Sequence, residues 1–195
     1  MASLADFVRS FGMSGYLITE ELKTIEQRFG IELGHLPKSK AASAVEDYPQ
    51  FEQAVRAEAA EMSEHYEVIY CLEQSIRRLI TETLQEAAGA DWWNSGKVPQ
   101  GVHQAVAERL KTEIESGMTR RSDSLIDYTT FGELSVIITG NWDLFKTVLT
   151  DQRAVSRVLS NLNLLRNPVA HCSPMANDEV ERLRLSVKDW FRLIG

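Results

Sequence analysis

Apolar residues recur along this chain at intervals of three and four, the spacing of one face of an α-helix. No run of alternating strand residues and no Asn-Gly hairpin turn interrupts them. An all-α fold is expected. The first sixty residues are the least regular. There TEELKTIEQRFG offers Thr19 as an N-cap and Gly30 as a stop, and GHLPKSK reads as a loop. Ser43 and Glu46 then have the spacing of a capping box, until Pro49 interrupts it or opens the next helix. Residues 1–60 are set apart on these grounds as an accessory helical segment, and 61–195 as the main domain.

From His65 to Ala88 the pattern strengthens, with Tyr66, Ile69, Ile76, Ile80, Leu84 and Ala87 stacked on one helical face. Glu73 falls inside that stripe and Arg77 lies one turn on, so a carboxylate and a guanidinium share a mostly buried face. They are either an ion couple of the core or the support of a functional site. Gly89 stops this helix. The loop DWWNSGKVP follows, whose two tryptophans plug the end of a core or offer bases a stacking surface. Pro99 opens a helix over 99–116, where His103 reads as a surface or satisfied residue, and 117–129 is a polar loop carrying Arg120 and Arg121.

Thr130 and Glu133 form a capping box for FGELSVIIT, which ends at Gly140, and NWDLFKTVL continues as a short helix. Asp151 caps a long helix with Val155, Val158, Leu162, Leu165 and Val169 on its apolar side. After a break at 171–176, Asn177 caps a last helix with Val180, Leu183, Val187, Trp190 and Ile194 inward. Across from them Arg184, Lys188 and Arg192 recur every four residues. That basic stripe is a solvated face or one turned to RNA.

Composition narrows the chemistry. A chain of 195 residues, 44% hydrophobic and 25% charged, can bury one sizeable core. A net charge of −7 argues against coating nucleic acid with the whole surface, while leaving room for a local basic site. No stretch approaches the roughly 18–20 apolar residues of a membrane span, and MASLADFVRSFG lacks the pattern of a signal peptide, so a cytoplasmic location is expected. Two cysteines and four scattered histidines show no CxxC or HExxH spacing, so neither metal nor other cofactor is expected.

Candidate chemistry concentrates in RNPVAH, residues 166–171. On an uninterrupted helix Arg166 and His171 would point about 140° apart. Pro168 is expected to kink or unwind the helix where the two side chains must converge. The negative end of the helix dipole favours a protonated imidazole, so His171 can serve as an acid. Arg166 offers a planar fork of donors to phosphate oxygens, and Asn167 can orient either partner. These three suit cleavage of RNA by its own 2′-hydroxyl. One histidine per chain leaves either the base or the acid unfilled, and a two-fold dimer with both RNPVAH segments at its axis fills the gap. The bland alternative is a helix end with an Asn-Pro turn, Arg166 on carbonyls and His171 exposed.

From about Tyr66 to Ile194 the chain resembles a HEPN domain, in the branch found in a yeast nuclear RNA-surveillance endonuclease and in many bacterial proteins. The matching pieces are YCLEQSIRRLI, DWWNSGKVP, YTTFGELSVII, NWDLFK and LNLLRNPVAH, in that order. The resemblance implies a bundle of four or five helices and a homodimer with a composite active site. It further implies a metal-independent ribonuclease leaving a 2′,3′-cyclic phosphate, with Arg166, Asn167 and His171 as its motif. Bacterial members act in toxin-antitoxin or anti-phage systems, so a toxin or defence effector with a neutralising partner protein is expected. Some relatives are catalytically silent RNA-binding or dimerisation modules, which is the alternative.

Overall fold

The computed structural model describes residues 18, 19, 21–25, 28 and 50–195. The chain divides into two compact units, Met1–Gln53 and Ala54–Gly195. In the first, residues 18, 19, 21–25 and 28 are helical, so Thr19 lies inside a helix instead of capping it. Gly30, Ser43, Glu46, Pro49 and the GHLPKSK loop lie outside the described residues.

The second unit is all-helical. Helix α1 spans Gln53–Ala88, α2 Gln100–Glu115, α3 Phe131–Gly140, the one-turn α4 Trp142–Phe145, α5 Gln152–Ala170 and α6 Asn177–Leu193. Five of these run ten residues or more, as a four- or five-helix bundle requires. Among the described residues the only extended pairing is an isolated bridge between Leu149 and Ile194.

Helix α1 extends well upstream of the apolar stripe and crosses residue 60. Its first twelve residues, QAVRAEAAEMSE, bury nothing. They are mostly strong helix formers, and propensity carries the helix where no patterning does. Further along, Ile69, Leu72, Ile76, Ile80 and Leu84 are buried. Tyr66 and Ala87, expected in that stripe, are exposed, and Leu72 takes the inward position. The helix ends at Gly89, whose φ of +79° is a left-handed conformation that glycine adopts without a Cβ penalty.

One hydrophobic cluster joins every helix of the unit, with Phe131, Leu134, Phe145, Leu159 and Trp190 at its centre. Helix α3 packs on α5 and α5 on α6. Trp92 and Trp93 sit in a 3-10 turn, both buried, edge to face at 5.4 Å; they close one end of the core instead of facing solvent. The capping box forms as expected: the Glu133 backbone N–H donates to the Thr130 hydroxyl and the Thr130 N–H to the Glu133 carboxylate. Asp151 caps α5, accepting from the Ala154 N–H at 2.7 Å. Ala176, not Asn177, occupies the N-cap of α6 and makes no side-chain bond there.

The end of α5 departs from expectation. The helix continues through Pro168 to Ala170, and the chain leaves it only at His171. Proline removes one donor there, but the carbonyl it would have served belongs to Leu164, an exposed residue open to water. The exit is a Schellman turn. Ser173 N–H donates to the Pro168 carbonyl at 2.8 Å and Cys172 N–H to Val169 at 3.4 Å, with Cys172 at φ +53°. A side chain in that conformation is strained by about 1–2 kcal/mol. Cys172→Gly is expected to raise stability by about 0.5–1 kcal/mol, the relief exceeding the entropy a glycine adds to the unfolded chain; urea unfolding at constant m-value measures it.

Candidate active site

The last turn of α5, the middle of α1, α2 and residues 121–130 enclose a cleft of about 700 Å³. Four guanidinium groups reach it, and three are already engaged. Arg77 donates to Glu73 at 2.5 Å and to the Thr129 carbonyl at 3.0 Å. Arg109 grips Glu133 with both nitrogens at 2.8 Å and also donates to the Tyr128 carbonyl. Arg121 meets Glu113 through its Nε at 2.6 Å and its backbone N–H at 2.7 Å, with its guanidinium 4.9 Å from the centre of the Tyr128 ring.

Arg166 is the exception. It is half-buried, lines the cleft, and has no hydrogen bond or ion pair among the described residues. A guanidinium held partly out of water with its donors unspent is poised for an oxyanion, and its planar fork matches phosphate.

The cleft therefore unites Arg166, Glu73 and Arg77. Asn167 and His171 are exposed on the same helix end and do not line it. At φ −105° and ψ 17° His171 has left the helix, so the cap conformation, not helical phase, directs its side chain. Its ring makes no hydrogen bond among the described residues and is open to a second molecule. Arg184, Lys188 and Arg192 are exposed on α6, away from the cleft. Arg184 pairs with Glu181 at 2.6 Å and Arg192 with Asp189 at 3.0 Å, so two of the three charges are matched on their own helix. Among the described residues no group of three or more His, Cys, Asp or Glu side chains is placed to hold a metal ion.

Tyr66, Tyr70, Arg109 and Arg121 line the cleft as well, none of them among the candidate site residues. The tyrosines were legible. At 100° per residue Tyr66, Tyr70, Glu73 and Arg77 fall within about 60° of one another, on the flank of α1 beside its buried stripe. The two arginines had no local signal, since Arg109 meets its carboxylate 24 residues away.

The carboxylates hold the cleft wall together. The Arg121 backbone N–H chiefly lowers the Glu113 carboxyl below its usual range; burial opposes this, and the Arg121 guanidinium and Tyr128 hydroxyl assist. Burial pushes Glu133 up, but bonds from Arg109 and Thr130 outweigh it and hold it low, and the same contact raises Arg109. Because both carboxyls titrate lower when folded, the stability they contribute is present above the unfolded value near 4.3 and lost as pH falls through the folded one. The urea midpoint is expected to drop below about pH 4, and less steeply in Glu113→Gln; identical acid limbs would refute this.

No curated protein and no solved structure matches the chain. A family model described as Swt1-like HEPN matches residues 67–195, about two thirds of the chain, including nearly all of the helical unit, the cleft's charged residues and the RNPVAH segment. The chain belongs to the Swt1-like HEPN family.

Proposed function

We propose that the protein is a metal-independent endoribonuclease that cuts RNA through attack of the 2′-hydroxyl, working as a homodimer. HEPN membership supports a role in cutting or binding RNA. The observation that carries the reading is Arg166, a cleft guanidinium without a partner among the described residues, five residues ahead of the exposed His171.

In this reading Arg166 binds the non-bridging oxygens of the scissile phosphate and stabilises the charge that grows on them. One His171 takes the proton of the 2′-hydroxyl as its oxygen bonds to phosphorus. The bond to the 5′-oxygen breaks, and His171 of a second copy gives that oxygen a proton. The products are a 2′,3′-cyclic phosphate and a 5′-hydroxyl. Asn167 orients the two ends, Glu73 and Arg77 shape the wall behind the phosphate, and Arg184, Lys188 and Arg192 offer longer RNA a basic edge. Within the family resemblance the protein is a cytoplasmic toxin or defence effector, restrained by a partner protein.

End-labelled single-stranded RNA in EDTA tests this, beside a strand with a 2′-deoxy position and the His171→Ala protein. Cleavage by the parent alone, lost at the deoxy position, is the expected result. The alternative is a silent RNA-binding and dimerisation module, favoured by the position of Asn167 and His171 outside the cleft that takes Arg166. Tight RNA binding without cleavage would establish it.

A further inference from the structure

We propose that Tyr66 and Tyr70 form a stacking platform that seats a base of single-stranded RNA beside the phosphate at Arg166. This rests on the RNA reading above and names what the cleft recognises besides charge. Tyr66 is 58% and Tyr70 53% exposed, unlike the buried Tyr128. Rings this open contribute little to the core, and both line the cleft that Arg166 enters.

Their geometry makes one surface. The residues are one helical turn apart on the cleft flank of α1, with ring centroids 6.0 Å apart and planes inclined by 33°. Rings at that separation are already in contact, so a base lies on the pair and not between its members. Ile69 and Val169 extend the surface with apolar floor. A cleft of about 700 Å³ with an aromatic edge and a free guanidinium has the two recognition elements of single-strand sites, a π-face for the base and a cation for the backbone. Every base has a π-face, so the platform tolerates sequence. A duplex hides those faces, so it selects single strands.

The test uses the full chain carrying His171→Ala, which prevents cleavage, and fluorescence anisotropy with a labelled single-stranded RNA of mixed sequence, an abasic strand of equal length, and a duplex. Tyr66→Ala and Tyr70→Ala are each expected to weaken binding of the single strand roughly 5- to 150-fold, the range of one lost stacking contact. They leave the abasic strand unchanged, and Tyr66→Phe binds like the parent. Arg166→Ala weakens the base-bearing and abasic strands alike. If Arg166→Ala weakens the single strand while both alanine variants bind it normally, the platform is refuted and the RNA reading stands. If the tyrosine variants bind RNA normally but change sedimentation, the rings belong to a protein interface and the proposal falls. If the parent binds no single-stranded RNA, platform and RNA reading fail together.

Discussion

His171→Ala is expected to lower RNA cleavage at least a hundredfold, because a group moving a proton in the transition state contributes roughly 10²- to 10⁴-fold. The loss should appear in kcat more than in KM, since the imidazole acts on the reacting oxygens and not on the rest of the chain. Stability should stay within about 0.5 kcal/mol of the parent: the side chain is exposed and has no hydrogen bond among the described residues. Arg166→Ala should match it in rate, and Arg166→Lys should recover only part, keeping the charge but losing the two-toothed geometry. Single-turnover kinetics with urea unfolding separates these effects. Cleavage unchanged in either alanine variant would remove the residue from the site.

Glu73→Ala is expected to cost about 2–3 kcal/mol of stability. It leaves the Arg77 guanidinium, 13% exposed, with only the Thr129 carbonyl among the described residues. Breaking one side of a fully buried pair costs about 3–5 kcal/mol, and the slight exposure here places the loss below that. Arg77→Ala should cost a similar amount, and the double variant less than the sum, because the second change removes a charge the first left stranded. The kcat per folded molecule should stay within about threefold of the parent: the bonds the pair makes run within it and to the Thr129 carbonyl, and the remaining Arg77 Nε is buried away from substrate. A larger fall in kcat, with folding corrected for, would make the pair part of the catalytic machinery.

Both predictions concern residues whose roles were visible to different degrees in the chain itself. The pairing of Glu73 with Arg77 follows from four-residue spacing, the capping box of Thr130 and Glu133 and the Asp151 cap from three-residue spacing, and the stop at Gly89 from the glycine itself. A spacing of three residues likewise matches Arg184 to Glu181 and Arg192 to Asp189, so two cations of the stripe have acidic neighbours on their own helix. Pro168 does not unwind the helix, because the cost of a proline depends on where in a helix it falls. In the last turn, before a Schellman exit, the helix absorbs it.

The sequence by itself determined the all-helical class, several of the helix ends and most of the core, because these depend on interactions within about four residues and on one periodicity. It also singled out Arg166 and His171 as residue types suited to phosphate chemistry. Only the tertiary structure decided what shares a cleft. It put Tyr66 and Tyr70 in one cleft with the last turn of α5, brought Arg109 to Glu133 and Arg121 to Glu113, and left Arg166 among them without a partner among the described residues. Those choices depend on which carboxylates become buried when distant helices close on one core, and a buried charge must then take the partner that the packing brings to it.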